Sequence, residues 1–248
     1  IIDEKVEEIF DDSVDDDREK ERAKSRWAQL EAVVGAEPRI KQITEDLIKH
    51  FETRTQTQPG KAMIVCMSRE ICVKFYEALR KLKPELHDDD LSKGQMKIVM
   101  SASASDVEEF QPHHTNRLQK KDLENRFKDP SDPLKIVIVR DMWLTGFDAP
   151  CLSTMYVDKP MQGANLAQAI ARVNRVFGDK PGGLVVDYIG IAPQLKEALA
   201  TYANSNGRGQ PTINTDEALK ILQEKLKVAQ DLLHPVDWSD YKKNALKL

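Results

Sequence analysis

The sequence predicts an open α/β fold in which helices cover both faces of a mainly parallel sheet. Short runs of almost uninterrupted apolar residues alternate with amphipathic stretches along the middle of the chain. Strands that are apolar at nearly every position are typical of parallel sheets, because both faces of such strands are buried. The predicted strands are residues 62–67, 97–103, 134–139, 152–158 and 182–190.

Amphipathic helices are predicted between these strands. The stretch SREICVKFYEALRKL begins with Ser68, a residue type that favours the N-cap position, and continues with apolar residues at helical spacing. A second helix is predicted at residues 116–128, and a third contains the sequence QAIARVNRVF, which starts at Gln168. Apolar strands separated by helices in this way are typical of a parallel sheet that is covered on both faces.

Flanking helices complete the predicted organisation. Residues 25–54 have a helical apolar pattern interrupted by GAEP, and the polar stretch TRTQTQPG that follows ends in a Pro-Gly breaker. We therefore predict an acidic leader with linking helices at 1–60, the α/β domain at 61–203 and a C-terminal helical segment at 204–248.

The composition is ordinary for a globular protein. Of 248 residues, 40% are hydrophobic and 31% are charged, and no apolar run approaches the roughly 18 residues of a membrane span. The first residues lack the basic-then-apolar order of a secretory signal, so we expect a cytoplasmic protein without a membrane partner. The three cysteines form no CxxC pair and are predicted to be buried free thiols. His113 and His114 are adjacent in a polar loop, which is poor geometry for joint metal ligation, so no metal site is predicted.

The net charge of −4 argues against a broadly basic surface for nucleic acid. The charge is uneven, because residues 3–22 contain eleven acidic and only four basic side chains. This stretch would repel phosphate and is typical of a solvated leader or linker. The rest of the chain is slightly basic, which leaves weak phosphate binding possible.

The helix that contains QAIARVNRVF has an unusual polar face. Its buried stripe is predicted to consist of Leu166, Ile170, Val173 and Phe177. On the opposite side, Gln168, Arg172 and Arg175 are spaced i, i+4, i+7 and would form one cationic edge. A solvated face explains such an edge. The alternative is a site for phosphate, because a guanidinium is always protonated and donates in a fixed fork.

Polar residues also follow the predicted strands, at the carboxyl edge of the sheet where open α/β proteins bind ligands. Ser68 and Arg69 follow the first strand and Ser101 ends the second, with donors that suit phosphate oxygens. Helix capping explains Ser68 about equally well. After the third strand, Gly146 allows close backbone approach to a ligand and Asp148 can accept from a hydroxyl such as that of a ribose, although ordinary turns use the same residues. We expect the arginine helix to contribute to this same edge.

A complete nucleotide site is not predicted from this chain. The phosphate-binding pattern G-x-x-x-x-G-K-[ST] is absent, since the nearest match, TQTQPGKAM, lacks the first glycine and the hydroxyl residue. The strand LVVDY has the shape of a magnesium-binding strand, but without a phosphate loop Asp187 is predicted to be structural. The arginines would therefore serve phosphates held by another domain.

Two long strings carry a family resemblance. VRDMWLTGFDAPCLSTMYVDKP and QAIARVNRVFGDKPGGLVVDYIGIA resemble the second RecA-like motor domain of the restriction (R) subunit of type I restriction-modification enzymes, within helicase superfamily 2. The resemblance covers about residues 61–200. IVCMSRE resembles motif IV, DMWLTGFDAP resembles motif V and QAIARVNR resembles motif VI.

The resemblance implies a pair of motor domains that close on ATP and Mg²⁺, which the first motor domain would mainly hold. In such motors, motif V places Gly146 and Asp148 at the nucleotide. Motif VI directs its polar residues to the γ-phosphate, with Arg175 as the arginine finger and Arg172 as its companion, and Gln168 beside them. Double-stranded DNA would be held through its backbone by Ser68, Arg69, Ser101 and Thr145.

The sequence also differs from the family pattern in some respects. The sequence departs from the family pattern at Ala164, where a histidine is usual, and at Ala167, where a larger apolar residue is usual. No credible nuclease site is present, since the D-x-K match at Asp3 lies in the acidic leader. The chain is therefore expected to be an inactive fragment of an ATP-dependent deoxyribonuclease, whose partners are the first motor and nuclease domains of the same chain and the modification and specificity subunits.

Two other interpretations remain open. The chain could belong to a different superfamily 2 motor, such as a remodeller or repair helicase, which the DMWLTGFDAP string disfavours. It could also be a non-catalytic interaction module in which the arginines bind an acidic protein partner.

Overall fold

The computed structural model describes residues 17–191 except 104–105, 145, 176, 179 and 181; the side chains of 17–24 and of Ala164 are also left out. The predicted acidic leader lies mostly outside these residues, and the predicted C-terminal helical segment at 204–248 lies outside them entirely.

One parallel sheet forms the centre of the described chain. Its strands lie in the order β2-β3-β1-β4-β5, and each neighbouring pair is parallel. This confirms the predicted open α/β fold. The strands are β1 Lys61–Cys66, β2 Met96–Val99, β3 Ile136–Val139, β4 Leu152–Asp158 and β5 Leu184–Asp187.

Five helices connect and flank these strands, together with 3-10 helices at Pro84–Leu86 and Glu108–His113. Ser68 caps the helix after β1 and accepts from the amide of Ile71, as predicted. Asn116 caps the next helix through a reciprocal capping box with Gln119. The helices are α1 Asp17–Val34, α2 Glu37–Thr57, α3 Arg69–Leu82, α4 Arg117–Lys128 and α5 Gly163–Val173.

The hydrophobic core lies between the helices and the sheet. Every residue of β1 to β4 is buried, whereas β5 lies at the edge of the sheet and is half-buried. Helices α1 and α2 contribute Leu30 and Leu47 to the same core. β1 begins directly after residue 60, and α2 packs onto the sheet through contacts of His50 with Tyr156 and of Arg54 with Thr154, so the domain boundary at residue 60 stays a prediction.

A buried ion pair fixes α2 to the end of β4. Arg39 donates to both carboxylate oxygens of Asp158, at 3.0 and 2.5 Å, and also to the carbonyls of Val34 and Tyr188. Burial raises the pKa of Asp158, while the guanidinium acts in the opposite direction. Loss of Arg39 would leave an uncompensated buried carboxylate, so this pair holds α2 in one position.

The strand registers define two edges of the sheet. Val65 of β1 pairs with Val139 of β3, which pairs with Val99 of β2, so these strands end together. We call this the carboxyl edge. The amino edge is the opposite one, where Lys61 pairs with Leu152. The seven residues of β4 separate the edges by roughly 20 Å.

Candidate functional site

Ser68, Arg69 and Ser101 lie at the carboxyl edge, as predicted. Ser68 and Arg69 follow β1, and Ser101 lies two residues after the end of β2. Arg69 donates to the carbonyl of Ser101 at 2.9 Å, which joins the two loops. The hydroxyl of Ser68 accepts the α3 cap hydrogen bond and keeps its own proton free to donate.

A buried carboxylate already binds Arg69. Asp106 accepts from both terminal nitrogens of Arg69 at 2.7 Å, and its side chain is only 2% exposed. It also accepts from the Ser103 amide and from Nε2 of His114. These donors, Arg69 first, lower the pKa of Asp106 to about 2, and Asp106 in turn raises the pKa of Arg69. The ring of Phe110 lies against the guanidinium, with its centroid at 5.1 Å. Arg69 is therefore a structural residue in this conformation.

The loop after β3 runs from the carboxyl edge to the amino edge. Near its start, Lys159 forms an ion pair with Asp141. At its end, the thiol of Cys151 donates to the carbonyl of Phe127 at 3.2 Å. Gly146 lies between them with a φ of +67°, a conformation that favours glycine, and apart from its chain neighbours no described residue has an atom within 4 Å of where its Cβ would be. Thr145, the predicted DNA contact in this loop, lies outside the described residues.

Stacked aromatic rings hold the middle of this loop. Trp143 and Phe147 are parallel, with centroids 4.4 Å apart and an interplanar angle of 6°, and both stack on Phe127 of α4. Trp143 has a φ of +67°, which is strained for a residue with a side chain. The ring contacts compensate for this strain and fix the backbone on both sides of Gly146. No local sequence pattern signals this cluster, because stacking depends on the loop conformation.

Helix α5 is shorter than predicted. Leu166, Ile170 and Val173 are buried, as predicted, but the helix ends at Val173 and Phe177 is 41% exposed beyond it. The assignment of Phe177 to the buried stripe is therefore wrong. A longer helix would need the Val173 carbonyl as an acceptor for the amide four residues later, and this carbonyl instead accepts from Nζ of Lys180 at 3.0 Å.

The predicted position of the arginines is also wrong in part. Arg175 lies beyond the helix, so it does not share a helical face with Gln168 and Arg172. Because β5 is parallel to β4, α5 begins at the carboxyl edge and returns to the amino edge. Lys180 confirms this, since its ammonium also donates to the carbonyl of Leu152, the first residue of β4, at 2.6 Å. The arginines therefore lie at the edge opposite Ser68 and Ser101.

Arg175 and Asp148 meet at the amino edge, close to the start of β4, so the predicted position of Asp148 at the carboxyl edge is wrong. Nη1 of Arg175 donates to Oδ2 of Asp148 at 2.7 Å, and the two side chains are 45% and 48% exposed. The second oxygen of this carboxylate, Oδ1, is buried and has no hydrogen-bond partner among the described residues. Nε of Arg172 is likewise buried and without a partner there. Gln168 is exposed on α5.

This cluster offers a ligand several unused polar groups. The guanidinium of Arg175 has further N–H donors that point to no described partner, because the contact with Asp148 uses one nitrogen. The Nε of Arg172, a donor, and Oδ1 of Asp148, an acceptor, are buried in this conformation, so a side-chain movement must precede their contact with a ligand. The free donors of Arg175 suit an anionic group such as a phosphate.

The predictions for the cysteines and for Asp187 are confirmed in the described part of the chain. Cys66, Cys72 and Cys151 are buried free thiols. Oδ1 of Asp187 accepts from the amides of Ile189 and Gly190 at 3.0 Å, which is the structural role predicted for it. No group of metal-binding side chains occurs among the described residues, and none of their helices is long and apolar enough to cross a membrane.

Comparison with known families and proteins identifies the segment. Residues 105–190 match the family described as Type I restriction enzyme subunit R domain 3. The chain is 49% identical over 205 residues to the type I restriction enzyme HindI endonuclease subunit of Haemophilus influenzae, covering 82% of this chain and 19% of that protein. It is 40% identical over 243 residues to the protein assigned as the MjaIXP endonuclease subunit in Methanocaldococcus jannaschii, covering 98% of this chain and 22% of that one.

A solved structure resembles the chain more weakly. The fragment structure assigned as an HsdR subunit of a type I restriction enzyme from Vibrio vulnificus YJ016 aligns with a TM-score of 0.48 and 19% identity, over 71% of this chain and 31% of that chain. The assignment therefore depends on the sequence relatives. The chain spans about a fifth of the length of the curated relatives it matches. It belongs to the family of type I restriction enzyme R (endonuclease) subunits.

Proposed function

We propose that this chain is the second motor domain of an R subunit and that Arg175 is the arginine finger for ATP hydrolysis, which drives translocation of double-stranded DNA before cleavage. One observation above all supports the proposal. Residues from the two most specific strings, Asp148 of DMWLTGFDAP and the arginine that follows α5, meet at 2.7 Å although 27 positions separate them.

The cluster at the amino edge fits part of a nucleoside triphosphate. The free donors of Arg175 suit phosphate oxygens, and a side-chain movement that exposes Nε of Arg172 and Oδ1 of Asp148 would add a second phosphate donor and an acceptor for a ribose hydroxyl. The sequence has no phosphate loop of its own, so ATP and Mg²⁺ would be held mainly by a first motor domain of the same chain. That domain and this one would close on the nucleotide together.

Within this site, the residues would have distinct tasks. The guanidinium of Arg175 would stabilise the negative charge that develops on the transferring phosphoryl group, because it is always protonated and donates in a fixed fork. Arg172 would bind a neighbouring oxygen. Asp148 would hold Arg175 when no phosphate is present, and Gly146 would allow the backbone to approach the nucleotide.

DNA would bind at the other edge of the sheet. The hydroxyls of Ser68 and Ser101 would contact the phosphate backbone there, where contacts fix register without reading sequence. Thr145, the other predicted DNA contact, lies outside the described residues. Arg69 would support these loops through Asp106 in the conformation described. A separation of roughly 20 Å between the two sites suits a motor, because domain closure on ATP at one edge would shift the DNA loops at the other.

The wider assignment follows the family. A complete R subunit would carry the nuclease domain and would assemble with modification and specificity subunits in the cytoplasm. The relatives named above are endonuclease subunits of type I restriction enzymes, which favours this family over a remodeller or a repair helicase.

The experiment changes Arg175 to Ala in the complete R subunit and follows ATP hydrolysis and DNA translocation together. We expect turnover to fall by about 10³-fold or more, because the transferring phosphoryl group would lose the guanidinium that stabilises its charge. Arg80→Ala is the matched control, since Arg80 is 46% exposed and also lies near a single carboxylate, that of Glu77 at 3.6 Å. Arg80→Ala should leave both activities unchanged.

The same experiment tests the interaction module. If Arg175→Ala leaves hydrolysis and translocation intact while the subunits no longer assemble, the arginines bind a protein partner and the motor assignment of this site is wrong.

A further inference from the structure

One buried ammonium connects the two segments that carry Arg175 and Asp148. Lys180 is 6% exposed, and its Nζ donates to the carbonyls of Pro150 at 3.1 Å, Leu152 at 2.6 Å and Val173 at 3.0 Å. An ammonium has three N–H donors, so each donor of Lys180 has one acceptor.

The three acceptors lie in the two backbone segments that carry Asp148 and Arg175. Pro150 is two residues after Asp148, and Val173 is two residues before Arg175. Leu152 begins β4, which gives the contact a rigid base in the sheet. Lys180 therefore holds the end of α5 and the end of the loop at fixed positions relative to β4.

The chain around Lys180 is shaped to bring the ammonium to this point. The amide of Lys180 donates to the carbonyl of Phe177 at 3.0 Å in a tight turn that contains Gly178 at a φ of +55°. Three residues later, Gly183 packs against the end of α5. A Cβ at Gly183 would lie 2.2 Å from the carbonyl oxygen of Val173, so only glycine fits there.

A space-filling role does not account for Lys180. Burial lowers its pKa, so the charged form is costly at this position, and a methionine of similar length would avoid that cost. What the ammonium adds over methionine is three directed hydrogen bonds. These bonds fix the positions of two backbone segments, and each segment lies within four residues of Asp148 or Arg175.

We propose that Lys180 is the positioning residue of the amino-edge site, fixing the loop and the end of α5 so that Arg175 and Asp148 meet in the orientation needed for phosphate. This inference rests on the proposed function for its catalytic consequence, although the clamp itself can be tested separately. Lys180 would touch neither nucleotide nor DNA and would act through the two segments.

The chain offers a close control in Lys97. It is 5% exposed, burial lowers its pKa, and its Nζ donates to the carbonyls of Asp88 and Asp90 at 2.5 and 2.8 Å. It thus makes the same kind of bond from β2 to a neighbouring loop, and two strands lie between β2 and β4. Lys97→Met and Lys180→Met should lower the free energy of unfolding by similar amounts but loosen different backbone segments.

The experiment compares Lys180→Met and Lys97→Met in the complete R subunit. Hydrogen–deuterium exchange should increase at residues 146–152 and 173–178 in the first variant and at residues 88–91 in the second. For ATP hydrolysis, Lys180→Met should lower kcat by about 10-fold or more with little change in KM, because a displaced catalytic group costs rate. Lys97→Met should leave kcat unchanged.

A double variant separates positioning from general damage. If Lys180 acts through Arg175, then adding Lys180→Met to Arg175→Ala should lower kcat little further, whereas independent structural damage would multiply the two losses. Gly183→Ala is a second route to the same displacement, since its Cβ would push on Val173 with Lys180 intact, and it serves if Lys180→Met does not fold.

The outcomes also separate the clamp from the proposed function. Unchanged exchange at both segments in Lys180→Met, or in Gly183→Ala where the first does not fold, would overturn the inference whatever the activity. Increased exchange together with normal hydrolysis in Arg175→Ala would support the clamp and refute the finger. Increased exchange with additive losses of kcat would show that Lys180 stabilises the fold and does not position Arg175, which would also overturn the inference.

Discussion

Arg69 and Arg175 were both predicted to contact phosphate, and each pairs with one aspartate, but the two pairs differ in burial and geometry. Arg69 makes two parallel bonds to Asp106, which is 2% exposed, and a third to a backbone carbonyl. Arg175 makes one bond to Asp148, and both side chains are about half exposed. The first arginine is fixed within the protein, and the second is free to change partners.

This difference has an energetic basis. An exposed ion pair contributes roughly 0–1 kcal/mol, so a phosphate group can displace Asp148 from Arg175 at little cost. A bidentate pair with a buried carboxylate is much harder to break, because separation would leave the carboxylate buried without its partner. Burial of the partner, more than the presence of an arginine, therefore separates a candidate catalytic group from a structural one.

The largest difference is expected from replacing each arginine by lysine in the complete subunit. Arg175→Lys keeps the charge but loses the planar fork, and ATP turnover should fall by about 10²-fold. Arg69→Lys should leave turnover within a few-fold of the parent. Steady-state ATPase assays of both variants check this, and equal losses would mean that the two sites do not differ in the way described.

The melting temperature should depend more on the Arg69 pair than on the Arg175 pair. Asp106→Asn removes the charge that holds Arg69 and His114, and we expect the melting temperature to fall by several degrees. Asp148→Asn should change it very little, because the pair with Arg175 is half exposed. Differential scanning calorimetry of the two variants makes the comparison, and a larger fall for Asp148→Asn would contradict it.

A smaller effect should appear as acid destabilisation through His113. Burial lowers the pKa of His113 to about 4 from 6.5, and its ring packs edge-on against Tyr76 at 4.7 Å. Because the unfolded chain binds a proton more readily, the contribution of His113 to stability is complete above pH 6.5 and is lost as the pH falls towards 4. His113→Phe should make the melting temperature less dependent on pH in this range. An unchanged pH profile would show that His113 is not buried as described.

The smallest signal is expected from the chain alone with nucleotide. Half of a phosphate site should bind ATP and Mg²⁺ no more tightly than about 1 mM, or roughly −4 kcal/mol. Isothermal titration calorimetry checks this directly, and micromolar affinity would mean that the domain contains a complete site.

Much of the fold could be predicted because the information is local. The apolar strands, the cap at Ser68 and the buried stripe of Leu166, Ile170 and Val173 depend on neighbours within a few residues. Their periodicity identified the sheet and the helices in the correct order. The ends of strands were less accurate, since β2 stops at Val99 where the sequence stays apolar for another residue.

The wrong predictions concern features that are determined by residues far apart in the sequence. The end of α5 is set by Lys180 and Gly183, which act from beyond the helix, so a helical period alone could not place Arg175. The pairing of Arg69 joins residues 37 positions apart and gives no local signal. The edge occupied by the arginines follows from the direction of the crossover. The parallel sheet that the sequence predicts already determines this direction, because a crossover helix must return to the edge where the next parallel strand begins.

The most direct test is a structure of the complete R subunit with a non-hydrolysable ATP analogue and Mg²⁺. The account predicts that the guanidinium of Arg175 leaves Asp148 and lies within about 3 Å of a terminal phosphate oxygen. If Arg175 instead stays on Asp148 or points into solvent, away from the phosphates, the proposed role of this site is contradicted.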